Sequence, residues 1–276
     1  MNKKPHIKIL ILNWNGSCII SKCIDSVENI DYSNYSIDVI DNGSTDNSIE
    51  IIKKYHSDIN LHTLDKNIGY AKGYNSFFKK MKKDKNIDYY LILNNDTVVN
   101  EALLDTLYVN SLKFGSNNIY GPKIKYLDKD KIWFSGGCYN KYLGFTKHIG
   151  IRNLEDNIFY KTNKTDYISG CCMLIKKSLI DQLGGFSETY SMYYEDVDLC
   201  HRAHAIGIES YVIDESVIFH DVSYSLGPNS LMKIYHQFFS RLKFIFKSNN
   251  FIIFLFAVFL NIIFLPFNLM KIFFKS

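Results

Sequence analysis

The amino-acid sequence predicts an α/β fold built on a doubly wound, mostly parallel sheet. Over roughly the first hundred residues, short apolar runs alternate with segments of helical periodicity, which is typical of parallel strands joined by crossover helices. Polar clusters follow three of the predicted strands, at residues 13–15, 41–46 and 94–96. Because ligands bind beyond the carboxyl ends of the strands in such sheets, these clusters define the candidate site.

The first predicted strand covers residues 7–12, an apolar run that only Lys8 interrupts, as expected of a strand buried on both faces. A helix capped by Ser17 follows it and ends near Glu28. The alternation then continues along the chain. It predicts strand 36–40, a helix capped by Asp46 or Asn47 and ending near Tyr55, strand 59–64, helix 71–81 and strand 89–93.

The middle of the chain is less regular. Residues 131–147 combine glycines with aromatic residues, which indicates a hairpin or loops. A buried strand at residues 167–175 and a short helix at 177–183 are predicted next. A loop then leads to an acidic helix that ends near Ala205, and two short strands at 209–213 and 217–220 complete the domain.

The chain is predicted to divide into a globular domain, residues 1–228, and a C-terminal tail, residues 229–276. No Asp or Glu follows Asp221, whereas the tail contains six cations: Lys233, Arg241, Lys243, Lys247, Lys271 and Lys275. The basic character of the chain, whose net charge is +4, therefore belongs to the tail. This distribution argues against a nucleic-acid-binding core and for a tail that meets an anionic surface.

The tail carries two helical patterns. Residues 231–247 predict an amphipathic helix that lies on an anionic membrane surface or, alternatively, packs on the globular domain. Residues 251–270 carry no charge and, at about 1.5 Å per residue, are long enough to cross a bilayer core of about 30 Å. Pro266 would kink this helix, so a shallow hairpin is the alternative. In either case we expect the tail to associate with the membrane.

Composition excludes several other classes of protein. Hydrophobic residues make up 47% of the chain and charged residues 22%, which allows a full core and excludes a disordered or collagen-like chain. The six cysteines form no C-x-x-C pair, so we predict neither a zinc site nor a disulfide framework. The N-terminal residues contain too short an apolar run for a secretory signal, and we expect a cytosolic globular domain.

Two of the polar clusters suit a nucleotide and a metal ion. Asp41 could accept a hydrogen bond from a bound base, and Gly43 permits a tight turn beside the ligand. Asp96 closes the sequence Asn94-Asn95-Asp96, and one carboxylate together with substrate phosphates suffices to hold Mg²⁺. Turns and helix caps also favour Asn and Asp, so neither cluster is specific by itself.

The acidic helix carries the strongest chemical signal. Glu195, Asp196 and Asp198 lie in its first turn, where the helix dipole would explain one carboxylate. Three acids within four positions, directly after Tyr193 and Tyr194, indicate a general base that takes a proton from a hydroxyl group.

Two further features permit both a structural and a functional interpretation. His220 follows an apolar run, where a histidine either completes the fold or contacts a metal ion or diphosphate. Gly69, Gly73 and Asn75 begin a predicted helix, which they allow either to approach a ligand or to pack closely on the sheet.

Taken together, the sequence resembles family 2 glycosyltransferases of the GT-A fold, especially their rhamnosyltransferase-like branch. Six motifs in the order of that family carry the resemblance, over about residues 6–225. They are Leu12-Asn13-Trp14-Asn15-Gly16, Asp41-Asn42-Gly43-Ser44-Thr45-Asp46, Asn67-x-Gly69-x-Ala71-x-Gly73-x-Asn75, Leu93-Asn94-Asn95-Asp96, Gly170-Cys171-Cys172-Met173-Leu174-Ile175 and Glu195-Asp196-x-Asp198-Leu199-x-x-Arg202.

The resemblance implies a Rossmann-like, mostly parallel GT-A sheet and assigns roles to these residues. It implies that Asp196 is the catalytic base with Glu195 as its partner, and that Asp96 binds Mg²⁺ or Mn²⁺ with help from His220. Asn94 stands where a D-x-D motif has its first acid. The implied nucleotide-sugar-binding residues are Asn13, Asp41, Gly43, Asn67, Gly73, Asn75 and Asn95, and the implied acceptor-binding residues are Tyr193 and Asp198.

The implied activity is an inverting, metal-dependent transfer of a sugar in the synthesis of surface polysaccharides. UDP- and dTDP-sugars both suit an Asp41-type base contact, and rhamnose as the donor sugar is implied by the resemblance alone. The expected acceptor is a saccharide or a lipid-linked saccharide at the cytoplasmic face of the cell membrane, where the tail would meet it.

Four other functions are disfavoured by the residues. A dehydrogenase would place G-x-G-x-x-G after the first strand, where this chain has Asn13-Trp14-Asn15-Gly16-Ser17. A sugar nucleotidyltransferase would need a glycine-rich basic loop there. A catalytically inactive membrane-bound scaffold would be expected to lose Asp96 or the acid pair, and a glycoside hydrolase would need no nucleobase site.

Overall fold

The computed structural model describes residues 4–154, 163–222 and 231–273. The predicted boundary between domain and tail, at residues 228 and 229, lies outside the described residues. The described elements are β1 (Ile7–Asn13), α1 (Ile20–Glu28), β2 (Tyr35–Asp41), α2 (Ser48–Tyr55), β3 (Asn60–Thr63), α3 (Tyr70–Met81), β4 (Tyr89–Asn94), β5 (Thr97–Val98), α4 (Leu103–Phe114), β6 (Ile119–Tyr126), β7 (Ile132–Phe134), β8 (Gly137–Tyr139), β9 (Thr146–His148), β10 (Asn163–Thr165), β11 (Cys172–Lys176), α5 (Lys177–Leu183), α6 (Glu195–His204), β12 (Ser210–His220), α7 (Leu231–Ser248) and α8 (Phe251–Phe273).

The main sheet has the strand order β10-β12-β6-β11-β4-β1-β2-β3, with β5 paired to β12 and β7 to β6. Strands β4, β1, β2 and β3 are mutually parallel, as are β12 and β6. Strand β11 runs antiparallel between β4 and β6. The predicted α/β class with a mostly parallel sheet is therefore confirmed, as a mixed sheet with an antiparallel strand near its centre.

Register brings the predicted clusters to one edge of this sheet. Asn13 of β1 lies opposite Asp41 of β2, and Leu12 lies opposite Asn94 of β4. The three strands run in the same direction and end together, so the polar residues that follow them share one edge.

The core explains the strand pattern seen in the sequence. The apolar residues of β1 and β4 are almost all fully buried, as expected of central parallel strands. Lys8 interrupts the run in β1 because its ammonium group pairs with the buried carboxylate of Asp38, at 2.6 Å between Nζ and Oδ2. A buried charge of this kind is tolerated only with a partner.

Several boundaries differ from the sequence-based predictions. Helix α1 begins at Ile20 rather than at Ser17, whose backbone N–H donates to Asp46 Oδ2. Strand β11 begins only at Cys172, because the residues before it form a turn closed by the hydrogen bond from Cys172 N–H to Ser169 O. The two strands predicted at the end of the domain are one strand, β12, with an irregularity between Ile213 and Val217. Helix α4 and strand β6 were not predicted.

The tail forms two helices, and the first packs on the domain. Phe244 and Ile245 of α7 are fully buried, so the structure shows the alternative placement of the amphipathic helix. The other side of α7 and the start of α8 expose large apolar residues, among them Phe246 and Ile252, the latter 78% exposed. Within the part of the chain that the structure describes, no helix is both long and apolar enough to cross a membrane.

Candidate functional site

Asp41 lies at the centre of a hydrogen-bonded cradle at the carboxyl ends of β1 and β2. Its side chain is buried and accepts hydrogen bonds from Asn13 Nδ2 at 2.9 Å, from Ser44 Oγ at 2.6 Å and from the Ser44 backbone N–H at 2.9 Å. The Asn13 carbonyl oxygen accepts from the Asn42 N–H at 2.7 Å. Three donors therefore fix this carboxylate before any ligand arrives, as a preorganised polar site requires.

The turn after Asp41 holds the loop of the Asn67 motif. Asn42 Nδ2 donates to Asn67 Oδ1, and Asn42 Oδ1 accepts from the Ile68 N–H. Gly43 has a φ of +73°, and a Cβ there would lie 2.4 Å from the Lys66 backbone, so only glycine fits the turn. Asn67 thus lies beside the cradle, and its predicted contact with a nucleotide-sugar stays a prediction.

Asn95 joins the cradle from the neighbouring strand. Its Nδ2 donates to Asn13 Oδ1 at 2.8 Å, so Asn13 bridges Asp41 and Asn95. A Cβ on Gly16 would lie 2.3 Å from Asn13 Oδ1, which explains the glycine that follows Asn15. The cradle and the Asn94–Asp96 cluster are thereby one continuous site.

Asp96 meets His220 beside this cradle. Thr97 pairs with His220 across β5 and β12, and His220 Nε2 lies 3.1 Å from Asp96 Oδ1. Both side chains are buried, and the Trp133 ring packs edge-on against the imidazole. The structure brings together the two residues predicted to bind metal, although 124 positions separate them in the sequence.

These two residues fit a divalent cation. The Nδ1 nitrogen of the buried His220 makes no hydrogen bond within the described residues, and Nε2 faces the Asp96 carboxylate. Such an imidazole, held against a carboxylate, offers the nitrogen and oxygen donors that suit Mn²⁺ and, through oxygen, Mg²⁺. When bound, the ion would neutralise charge on a diphosphate.

The acid pair lies on the other side of the turn that precedes β11. Asp196 Oδ2 accepts from the Gly170 N–H at 3.0 Å, and Asp196 Oδ1 accepts from the Val197 N–H at 2.8 Å. The Gly170 carbonyl oxygen in turn accepts from the Tyr70 hydroxyl at 2.7 Å. Since Gly170 and Cys171 connect to the end of β4, where the Asn94 N–H donates to Cys171 O, the acids face the same edge as Asp96.

Burial raises the pKa of both acids. The pKa of Glu195 rises to about 8, first because of burial and then because of the neighbouring Asp196 charge. Burial also raises the pKa of Asp196, whereas its backbone hydrogen bonds oppose the rise. Glu195 Oε2 is buried without a hydrogen bond in the described part of the chain. Near pH 7 Glu195 therefore stays mostly protonated, whereas the backbone hydrogen bonds of Asp196 favour its charged form.

Two consecutive tyrosines present these acids in an uncommon backbone conformation. Tyr193 has a φ of +65° and Tyr194 a φ of +71°, a region that residues with a Cβ seldom occupy. Such conformations persist where the surrounding structure holds them, and they cluster at functional sites. Tyr193 is half-buried beside the acid pair. Its predicted contact with an acceptor stays a prediction.

The structure gives two predicted ligand-binding residues partners within the fold. Asp198 is buried, and its carboxylate accepts from Tyr190, Arg202 and Lys247, while its predicted contact with an acceptor stays a prediction. Asn75 donates to Phe186 O and Glu188 Oε1 and accepts from the Phe186 N–H.

Asn75 therefore fastens α3 to the segment after α5. Gly73 allows close packing, because a Cβ there would lie 2.7 Å from Leu12 Cδ1. The predicted contacts of both residues with a nucleotide-sugar stay predictions.

A second group of metal-type ligands lies elsewhere. Asp25, Glu28 and His56 meet where α1 and α2 end, which is the edge opposite the carboxyl ends of the strands. His56 Nδ1 lies 3.2 Å from Glu28 Oε2, and Nε2 lies 3.3 Å from Ser21 Oγ. Both nitrogens are thus engaged in joining the two helices. A cleft of about 920 Å³ beside Tyr89 and Lys176 also lies at that edge, away from the predicted chemistry.

Sequence reasoning missed the roles of Ser44, Asn42, Tyr70 and Gly170. Each of these residues lies within or beside one of the six motifs, where it is a polar or glycine position to which no role was assigned. Their hydrogen bonds join residues up to 100 positions apart, as Tyr70 and Gly170 are, which no local pattern reports.

Comparisons with known proteins agree with this geometry. The sequence profile of Glycosyl transferase family 2 matches residues 8–184. The low-salt glycan biosynthesis hexosyltransferase Agl10 of Haloferax volcanii is 26% identical over 200 residues, 71% of this chain and 61% of the relative. The chain thus spans about three fifths of that relative's length.

Two further relatives are rhamnosyltransferases. The N-acetylglucosaminyl-diphospho-decaprenol L-rhamnosyltransferase of Mycobacterium tuberculosis is 24% identical over 223 residues, 73% of this chain and 72% of the relative. Rhamnosyltransferase WbbL of Escherichia coli is 23% identical over 232 residues, 81% of this chain and 85% of the relative. The resemblance to a rhamnosyltransferase-like branch is confirmed by these matches.

Solved structures share the fold. GalNAc-T7 with UDP, GalNAc and Mn²⁺ superposes with a TM-score of 0.66 at 14% identity, covering 83% of this chain and 46% of that chain. S. aureus TarS 1-349 in complex with UDP superposes with a TM-score of 0.60 at 16% identity, covering 87% and 64%. These likenesses show a GT-A-like α/β fold.

Proposed function

Because the chain belongs to glycosyl transferase family 2, we propose that it is an inverting glycosyltransferase with a nucleoside-diphosphate sugar as donor and a saccharide hydroxyl as acceptor. One observation carries the proposal. The Asp41 cradle, the Asp96–His220 pair and the Glu195–Asp196 pair, from distant parts of the sequence, converge on one edge of the sheet.

Each part of this edge suits one part of the reaction. Asp41 accepts a hydrogen bond from the base of the nucleotide, with Asn13 and Ser44 holding its carboxylate in place. Asp96 and His220 hold Mg²⁺ or Mn²⁺ next to the diphosphate. Asp196 takes the proton from the acceptor hydroxyl, which attacks the anomeric carbon from the face opposite the leaving nucleoside diphosphate. A single displacement of this kind inverts the anomeric configuration.

The choice between the two acids follows from the pKa of Glu195 and the hydrogen bonds of Asp196. Glu195, with a pKa of about 8, is mostly protonated near neutral pH and cannot accept the acceptor's proton. Asp196 accepts two backbone hydrogen bonds, which favour its ionised form and fix its orientation toward the site. Binding two sugars in one orientation supplies much of the remaining rate enhancement.

We assign rhamnose or another hexose as the transferred sugar and a lipid-linked saccharide as the acceptor. Two relatives are named as rhamnosyltransferases and one as a hexosyltransferase, and one of the rhamnosyltransferases is named for a decaprenol-linked acceptor. The nucleotide is UDP or dTDP, and UDP is present in two structures of the same fold.

The tail suits an acceptor of this kind at the cytoplasmic face of a membrane. Helices α7 and α8 expose large apolar side chains next to the tail's lysines, a combination that binds anionic lipid surfaces. A chain that ends at Asn250 keeps α7 and loses α8. It should move from the membrane fraction to the supernatant, and unchanged fractionation would exclude α8 as the anchor.

Calorimetric titration of the full chain in detergent tests the proposed function. UDP, dTDP and GDP are each titrated with and without Mn²⁺. We expect one of UDP and dTDP to bind, more tightly with Mn²⁺, and Asp41→Ala to abolish that binding. A folded chain that binds none of the three would contradict the proposal and favour an inactive scaffold.

A further inference from the structure

Helix α7 is fastened along its length to the segment that delivers the acid pair, residues 187–194, which we call the acid loop. Four polar side chains of α7 reach this loop. The contacts are His236 Nδ1 with Ser191 Oγ at 3.0 Å, Ser240 Oγ to Met192 O at 2.7 Å, Lys243 Nζ to Thr189 O at 2.9 Å and Lys247 Nζ to Ser187 Oγ at 3.1 Å. These side chains recur at spacings of three and four residues, so one face of α7 lies against the loop.

An ionic contact extends this fastening to the catalytic helix. Lys247 Nζ lies 2.7 Å from Asp198 Oδ1, and Asp198 Oδ2 accepts from Arg202 Nε at 2.6 Å. The Asp198 side chain is only 2% exposed. Asp198 lies two residues after Asp196, so Lys247 ties α7 to the same helical turn that carries the acid pair.

Apolar packing closes the arrangement from the other side. The Phe244 ring is fully buried and contacts the rings of Tyr139, Tyr194 and His201. The Tyr194 hydroxyl donates to Gly144 O at 2.6 Å. Tyr194 is therefore fixed between α7 and the turn that joins β8 to β9.

The acid loop needs such support. Its last two residues, Tyr193 and Tyr194, both have positive φ angles, and this conformation is unfavourable for tyrosine unless the surroundings hold it. The acids follow directly, so a change in these two backbone positions would turn Glu195 and Asp196 away from the site.

We propose that α7 is a positioning element of the active site, in which Lys247 and Ser240 hold the acid loop so that Asp196 faces the acceptor. This inference rests on the proposed function for its catalytic consequence, but the contact itself can be measured without activity. The C-terminal tail then serves two purposes, because the helix that leads to α8 also orders the catalytic acids.

The test uses Lys247→Met in the full chain. We expect kcat to fall at least tenfold while the KM for the donor stays within twofold, because the acids lose their orientation and the nucleotide cradle is untouched. Lys247→Arg should restore most of kcat, since it keeps the charge. The matched control is Lys113→Met at the exposed end of α4, which should leave both constants unchanged.

Hydrogen exchange separates this inference from the proposed function. Amides of residues 191–196 should exchange at least tenfold faster in Lys247→Met than in the wild type, whether or not transfer is detected. If Lys247→Met does not fold, Ser240→Ala removes one contact and should speed the same exchange. If a folded Lys247→Met variant shows unchanged exchange and unchanged kcat, the inference is overturned. If exchange is faster in the variant but the wild type shows no transfer, only the proposed reaction is overturned.

Discussion

The two halves of the candidate site are built in opposite ways. Around Asp41 the polar side chains of the cradle are joined to one another by hydrogen bonds, through Asn13, Ser44 and Asn95. Around the acid and metal pairs, Glu195 Oε2 and His220 Nδ1 are buried without hydrogen bonds in the described residues, and His220 Nε2 lies against the Asp96 carboxylate. Buried polar groups usually have partners, so atoms that lack them indicate a missing ligand.

This difference shows how the site divides its work. The Asp41 half, where we propose that the nucleotide binds, is hydrogen-bonded by the protein alone. The reactive half contains buried groups that the protein satisfies less fully, and burial raises the pKa of both acids there. In the proposed reaction, a cation and an acceptor hydroxyl would satisfy those groups.

The largest effect is expected from a variant that disables the reactive half of the site and leaves the Asp41 half unchanged. Asp196→Asn keeps the shape of the side chain but cannot take a proton, so transfer should fall by about 10²–10⁴-fold. Nucleotide affinity should stay within twofold by calorimetry. Asp58→Asn, an exposed change, is the control. Retained turnover in Asp196→Asn would move the role of base to Glu195.

A smaller effect is expected from His220→Ala. Removing one metal-binding side chain should weaken the Mn²⁺-dependent part of nucleotide binding by at least about tenfold. Binding measured in EDTA should not change, because the cradle lies on the other half. The matched variant His204→Ala removes a histidine that bonds to Ser210 away from the site. Equal Mn²⁺ dependence in all three proteins would remove His220 from the metal site.

The last prediction concerns folding stability and pH rather than transfer. The pKa of Glu195 is about 8 in the folded protein and near 4.5 when exposed, so folding stability falls as pH rises from about 4.5 to 8. Glu195→Gln removes this loss and should be more stable than wild type by about 4 kcal/mol at pH 8, and by much less at pH 5. Thermal unfolding at both pH values measures the difference.

Glu101→Gln, an exposed change, should show no such pH dependence. The same gain at pH 5 and pH 8 for Glu195→Gln would mean that the carboxyl of Glu195 is not held in its neutral form. The contrast between the two halves of the site would then rest on His220 alone.

Local pattern determined much of the fold and part of the site. Apolar runs predicted β1, β2, β4 and the helices between them to within a few residues, because each strand is buried along most of its length. The position where each strand ends can also be recognised in the local sequence. The polar clusters at Asp41 and Asp96 could therefore be placed at one edge of the sheet from the sequence.

What the sequence by itself determined was the order of parallel strands and helices, the acids at their ends and the amphipathic character of α7. Only the tertiary structure decided what those groups contact. The sequence suggests that Asp198 is a ligand-binding acid, and only the structure shows that Lys247, 49 residues later, pairs with it. The sequence likewise suggests a ligand contact for Asn75, and only the structure shows the hydrogen bonds between its amide and Phe186. Hydrophobic burial follows from local periodicity, whereas the partner of a buried charge or amide depends on contacts between distant segments, which no local pattern contains.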